Sequence, residues 1–593
     1  MSKLFRFLSA IARQSGLRNR ESPILCINKI YTKSGQKSMN RELRKCQNCQ
    51  QEFWIEPEDF DFYEKMRVPA PVICPECRFK RRAAFRNEFK LYNRKCDLCL
   101  QSIISMYHPK ASCAVYCPDC WHSDKWDPFS YGKNYDFGRK FFDQFGGLMR
   151  AVPKIAISSS DVLKSVNSPY ENFAGGNKDC YLISNSGPKN ENCAYSRGLI
   201  KCRDVFDSYY VDESERSYEG VGVHNSAGVS FAENVVECLD SGYLINCAGL
   251  QDCFGCVNLR HKKYHFLNEP LSKEEYQRRI EAIRGSYRGA EGFQKQFEAF
   301  ALRFPRRENS NLRSVGVTGN YIFESKNCHA SFEVSFCEDL GYAFSVKLAK
   351  DAYDIIGHGR NAELLLETVA VGYSSRIIAC WWAENCQNVE YSLAVRGSEN
   401  CFGCDGVKKT HYAILNKLYS EDEYKKIRAH IIEELKQQGE YGLFFPPSFA
   451  PFAYNETIVQ ENFSLNKEEA IAQGYRWEEN LQMTRGKETL KPEGMPDHIK
   501  DVPESITNEI LVCIVCSRNY RIIPAELQFY RRMILPIPRK CFYCRHQDRI
   551  RRRGPMKIYD RICVRCQKQI KTSYAPDRSE IVYCEACYQQ EVV

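Results

Sequence analysis

The sequence has no run of eighteen apolar residues, so no stretch reads as a membrane-spanning helix. It also lacks GxxxxGK[ST], HExxH and GxSxG, which removes the readiest signatures of P-loop nucleotide hydrolases, zincin proteases and α/β-hydrolases. An apolar signal-peptide core is absent too, and the many cysteines form no obvious extracellular framework, so a reducing, cytoplasmic setting is expected. Acids are scarce at the start. Residues 1–40 carry Lys3, Arg6, Arg13, Arg18, Arg20, Lys29, Lys33 and Lys37 against Glu21 alone. With Leu4, Phe7, Leu8 and Ile11 on one helical face, this stretch reads as a disordered basic tail or as sequence upstream of a start at Met39. An organelle transit peptide is the alternative.

What is abundant is cysteine: 31 in 593 residues, in a chain with 27% charged residues and net charge +10. That length predicts three or more domains. Sixteen cysteines form CxxC pairs in two modules. Cys46/Cys49, Cys74/Cys77, Cys96/Cys99 and Cys117/Cys120 are separated by 24, 18 and 17 residues. Cys513/Cys516, Cys541/Cys544, Cys563/Cys566 and Cys584/Cys587 repeat those separations at a constant shift of 467. The same shift carries Pro57 to Pro524, Tyr63 to Tyr530, Met66 to Met533, Arg78 to Arg545 and Tyr107 to Tyr574. Two CxxC pairs supply the four thiolates of a tetrahedral Zn²⁺ site with no open position, so about four structural zinc ions are expected. Ligation is read as sequential, first pair with second and third with fourth. A cross-braced pairing, disulfides and iron–sulfur ligation are the alternatives.

Between the two sites of each module the chain turns basic. Arg78 to Lys95 holds eight Lys and Arg against Glu88, and Arg545 to Ile562 holds seven against two acids. Read as linkers, these offer Arg78, Arg81, Arg82 and Arg86, with Arg545, Arg549, Arg551, Arg552 and Arg553, as contacts for nucleic-acid phosphate, RNA more than DNA. An acidic protein partner, or pairing with nearby acids such as Glu56, Glu58 and Asp59, would use the same side chains. Within the module, Pro57 opens a helix through Met66 with Phe60, Tyr63 and Met66 facing inward. After Cys120, Trp121, Trp126, Tyr131, Phe137, Phe141, Phe142 and Phe145 read as a strap docking the module onto the next domain.

The middle of the chain is duplicated at a different shift. Gln251–Cys256 matches Glu399–Cys404 at 148 residues, as do Tyr264 with Tyr412, Asn268 with Asn416 and Cys238 with Cys386. Upstream, a gap of about thirteen residues aligns Cys193 and Cys202 with Cys328 and Cys337. Short apolar alternations between Asn, Asp, Ser and Gly, recurring every 8–12 residues, predict period-2 strands. Repeated Asn-Cys and Asp-Cys entries point to stacked turns of a parallel β-solenoid with inward cysteines. Cys253/Cys256 and Cys401/Cys404 are CxxC pairs inside it, with a shared metal or redox role as the alternative to core. Each copy ends in a helix opened by Ser272/Glu275 or Ser420/Glu423, which would cover the last turn.

The pattern of CxxC, Pro57-Glu-Asp-Phe-Asp-Phe-Tyr63, Pro69-Ala-Pro71 and Cys74-Pro-Glu-Cys77-Arg78 resembles zinc-ribbon, or treble-clef-like, domains of uncharacterised bacterial proteins. The resemblance covers 46–124 and its copy at 513–587, which departs from it by having Phe542-Tyr543. It implies metal binding by the matching cysteines and supplies no activity.

The expected organisation is mainly β, a duplicated β-solenoid-like (parallel β-helix) core flanked by duplicated double zinc-ribbon modules. The segments are a basic tail (1–40), module 1 (41–124), a strap and helix (125–160), repeat 1 (161–268), a helical cap (269–310), repeat 2 (311–416), a second cap (417–440), a Pro/Phe-rich segment and linker (441–506) and module 2 (507–593). The functional expectation is a non-catalytic zinc-binding scaffold that binds nucleic acid, with no membrane role. A protein-assembly scaffold is the alternative. A carbohydrate-active enzyme would have to draw on Asp204 and Asp207, or Glu338 and Asp339.

Overall fold

Why so many asparagine–cysteine and aspartate–cysteine doublets occur is answered by the backbone. The computed structural model describes residues 41–158, 163–481 and 483–592, so the basic tail lies outside the described residues. From the region of Asn192 onward nearly every third residue adopts positive φ: Asp204, Asp207, Tyr210, Glu213, Arg216, Glu219, Gly222 and Asn225 run without a break. The residue after each points inward and is buried, as in Val205, Ser208, Val211 and Ser214. A left-handed residue costs an ordinary side chain about 1 kcal/mol, least for Asn and Asp. Asn192-Cys193, Asn246-Cys247, Asp252-Cys253, Asn327-Cys328 and Asn400-Cys401 are therefore corner-plus-core units. The period is three, not the expected two.

Four such triplets make a twelve-residue step, and parallel pairing follows it: Arg203 faces Glu215, Glu215 faces Ala227, and Ser230 faces Gly242. One sheet of ten strands and one of fourteen result, so the protein is mainly β. The second sheet takes one thirteen-residue step, where Ala349 faces Ala362. We call these the first and second β-bodies. Each has its own apolar interior, and every cysteine from Cys180 to Cys404 is buried. Cys253, Cys256, Cys401 and Cys404 are among these core thiols. Inward serines satisfy the backbone of the next turn, as when Ser214 Oγ accepts from Ser226 N and Ser226 Oγ accepts from Cys238 N. Without such partners, buried amides would cost about 1–3 kcal/mol each.

Helices cover the last turns. Ser272 caps Lys273–Glu281 by accepting from Glu275 N, and Ser420 forms a full capping box with Glu423 at Glu421–Gln437. The helix Tyr287–Ala301 lays Phe293 against Tyr243, Phe254 and Phe266. The Pro/Phe segment buries Phe444, Phe445, Phe452 and Tyr454 beside the second body. The aromatic strap also joins the second body rather than the next domain in sequence. Its helix, Phe141–Ala151, sets Phe141 on Phe402 and Tyr391, and Trp121 stacks on Trp382 with ring centroids 5.6 Å apart. The described residues from Glu42 onward form one compact unit.

Candidate metal centres and the helices they hold

In each module a CxxC turn closes an antiparallel hairpin, and a second CxxC opens a helix. Glu42–Lys45 pairs with Glu52–Ile55 around Cys46 and Cys49, and Tyr92–Lys95 pairs with Ser102–Ser105 around Cys96 and Cys99. Cys74 precedes the helix Pro75–Ala83, and Cys541 precedes Phe542–Arg553. Proline at the first helical position after Cys74 and Cys117 suits this geometry, because a donor is unneeded there.

The sulfurs gather as four tetrads: Cys46/Cys49/Cys74/Cys77, Cys96/Cys99/Cys117/Cys120, Cys513/Cys516/Cys541/Cys544 and Cys563/Cys566/Cys584/Cys587, each with all Sγ atoms within 4.8 Å. First pair joins second and third joins fourth, the sequential arrangement rather than the cross-braced one. Cys49 and Cys74 sulfurs stand 3.7 Å apart, Cys99 and Cys117 3.9 Å, Cys516 and Cys541 3.6 Å, and Cys566 and Cys584 3.7 Å. Tetrahedral zinc with Zn–S near 2.3 Å requires sulfur–sulfur edges of about 3.8 Å. The donor set therefore fits a closed, structural zinc.

Local hydrogen bonds favour the thiolate. Cys74 N donates to Cys46 Sγ, Cys117 N to Cys96 Sγ and Cys584 N to Cys563 Sγ, each at 3.2 Å. Between thiols the bonding favours one partner at the other's expense: the bond with Cys541 draws Cys513 down and pushes Cys541 up, and the bond with Cys74 draws Cys77 down and pushes Cys74 up.

The Arg-rich stretches that follow are not extended linkers. They begin as helices, and six of the nine arginines point into carboxylates of the β-bodies. Arg78 Nε meets Asp354 at 3.0 Å, and Arg82 meets Asp354 at 2.9 Å and also Glu367. In the other module Arg545 meets Asp207 at 2.9 Å, and Arg549 meets Asp207 at 3.0 Å and Glu219 at 2.8 Å. Arg81 pairs with Glu440, Arg86 with Glu88, Arg552 with Glu219 and Arg553 with Glu333. Arg551 alone of the nine keeps a largely exposed side chain, at 70%, beside Asp548. Apart from Arg551, the side chains expected to meet phosphate are thus already paired in buried or half-buried positions. The nearby Glu56, Glu58 and Asp59 are not the partners either; the acids come from more than 270 residues away for Arg78.

The docking is crosswise. Module 1 sits on the second body and module 2 on the first, through matched contacts. Phe62 stacks on Tyr353 at 4.0 Å, and its counterpart Phe529 stacks on Phe206 at 4.3 Å. Tyr342 Oη donates to Asp59 at 3.0 Å, and Tyr195 Oη donates to the counterpart Glu526 at 3.1 Å. Phe62, beside Tyr63 and Met66, rather than Phe60 is therefore buried by the Pro57–Met66 helix. These contacts, with the arginine pairs, equate Tyr195 with Tyr342, Phe206 with Tyr353, Asp207 with Asp354 and Glu219 with Glu367, a shift of 147 or 148 throughout. The thirteen-residue gap placed upstream by sequence slipped the alignment by one turn, setting Asp207 opposite Tyr342.

Arg86, just beyond the first of these helices, and its counterpart Arg553, at the end of the second, reach the centre. Glu88 binds Arg86 at 2.9 Å and Arg197 of the first body at 2.8 Å. Arg197 continues to Glu333 of the second body at 3.0 Å, and Glu333 also accepts from Tyr209 Oη at 2.6 Å and faces Arg553. Burial pushes the Glu88 carboxyl up, but Arg197 and Arg86 outweigh it and hold it down to about 2. The carboxylates considered for catalysis are similarly engaged: Asp204 with Arg532, Asp207 with Arg545 and Arg549, Glu338 with Lys326 and Lys350, and Asp339 with Asn327.

No family model matches the chain, and no curated protein is significantly similar to it.

Proposed function

We propose that this protein is a non-catalytic structural scaffold in which four zinc ions brace two modules, and each module clamps one of two β-solenoids into a single frame. The observation that carries the reading is the fate of the nine linker arginines, all of which lie within 4.0 Å of a carboxylate of the same chain. The chemistry that grips acids is present, and the acids it grips are internal. Zinc is the metal that four thiolates at this spacing select when no open position is needed. Elemental analysis should find about four zinc ions per chain. Fluorescence anisotropy with RNA and DNA oligomers should show no binding that survives physiological salt. Salt-resistant binding to either would sink the reading.

One feature supports an assembly role as a second reading. Apolar side chains stand exposed in or beside the CxxC turns: Leu100 at 68%, Val515 at 62%, and Ile514 and Val564 at 50%. Such contacts on rigid metal-bound loops suit a protein partner better than a nucleic acid. Val515→Asp should then weaken self-association or partner binding without loss of zinc.

A further inference from the structure

Where the two β-bodies face each other they leave a cleft of about 540 Å³, within the range of small-molecule sites. We infer that this cleft binds a small anion carrying a flat aromatic ring, of the mononucleotide class. The inference goes beyond the scaffold reading and does not need it.

The walls follow from the three-residue period. Phe173, Asn185, Gly198 and Tyr210 are corner residues on successive turns of the first body, all with positive φ. Ser345, Ala370 and Trp382 are corner residues of the second. Small residues at the middle of each ladder hold the walls apart, and aromatic ones flank the gap. The floor is polar and tied across: Asn185 Nδ2 donates to Ser345 Oγ at 2.8 Å, while Asn185 Oδ1 accepts from Arg86 at 3.0 Å.

Charge selects the ligand. Of the ionic groups lining the cleft, Arg86, Glu333, Glu384 and Arg396 have opposite charges beside them. Lys347 and Arg360 differ. Among the described residues neither is in an ion pair within 4.0 Å, although Asp212 and Glu333 act on Lys347 from farther off. Lys347 lies 5.9 Å from the Tyr210 ring centroid, and Arg360 reaches to 3.6 Å from where a side chain on Gly187 would begin. Burial, with Arg360 adding to it, pushes the Lys347 ammonium below its ordinary value against the opposing pull of Asp212 and Glu333. Two partly desolvated cations facing one cavity are an anion site, since a bound phosphate or carboxylate would make charge-assisted hydrogen bonds to both. Tyr373, 43% exposed at the same cleft, offers a ring face for stacking.

The test is calorimetry of the zinc-loaded full chain with adenosine 5′-monophosphate, inorganic phosphate and adenosine as separate probes. The monophosphate should bind more tightly than either part. Lys347→Met and Arg360→Gln should each weaken it by about tenfold, the loss of one charge-assisted hydrogen bond. Tyr373→Ala, an exposed change that leaves the fold alone, should weaken the monophosphate but not inorganic phosphate. Circular dichroism and zinc content confirm that each variant is folded. No heat with any probe at millimolar concentration would overturn the inference, as would equal binding by the Lys347→Met/Arg360→Gln double variant.

Discussion

The two module–body interfaces solve one docking problem twice, and their differences show which contacts carry it. Both place an aromatic ring of the module on one of the body, a module acid under a tyrosine hydroxyl, and two arginines on an acid pair one turn apart. Outside these positions they diverge. Arg81 of module 1 reaches Glu440, whereas the equivalent residue of module 2 is Asp548, bound to its own neighbours Lys540 and Arg551. A position whose charge sign reverses between copies is not part of the shared lock. The positions that persist are the buried ones, where an unpaired charge is most costly.

The largest effect separates module from body. Cys74→Ser with Cys77→Ser, or Cys541→Ser with Cys544→Ser, should release one zinc and unfold the affected module. Structural zinc binding supplies about 10–16 kcal/mol of folding free energy in small metal domains. Metal analysis and thermal unfolding check this, and an unequal response of the two pairs would break the equivalence.

Next come the arginines. Arg82→Met leaves Asp354 and Glu367 buried with less compensation, and Arg549→Met does the same to Asp207 and Glu219. Each should cost about 3–5 kcal/mol in urea unfolding, with the two values close to each other.

Acid should then distinguish the centre from both interfaces. Glu88 is held below its unfolded value, so its contribution is fully present above about pH 4.5 and is lost as pH falls toward 2. The shift corresponds to roughly 3 kcal/mol. Replacing Arg197 with Met should flatten this part of the stability–pH curve.

The smallest effect belongs to Arg551, exposed beside Asp548. Arg551→Ala should change stability by less than about 0.5 kcal/mol.

How much of this was legible follows from where the determinants lie. The tetrads could be read because ligand pairs are local and only cysteine serves, so Cys46 to Cys120 and Cys513 to Cys587 announce their spacing. The parallel stacking was legible in outline from the recurring Asn-Cys and Asp-Cys doublets. Its true period was hidden, because Tyr210, Glu213 and Arg216 adopt left-handed backbone that their identity does not advertise. The arginines stand out in the sequence as a basic run and read there as contacts for phosphate, whereas the carboxylates that Arg78 and Arg545 meet, Asp354 and Asp207, lie hundreds of residues away. Only the tertiary fold brings them together. The cleft went unread for the same reason: Lys347 and Tyr210 meet solely because the two bodies face each other.

The crosswise lock is tested most directly by a double-mutant cycle on Arg82 and Glu367, measured by urea unfolding of the zinc-loaded chain. Arg82→Met and Glu367→Met should each be strongly destabilising. The double variant should recover most of the loss, because replacing a buried pair with apolar groups is often close to neutral. Simple additivity of the two losses would mean that Arg82 and Glu367 do not face each other, and that module 1 does not dock on the second body.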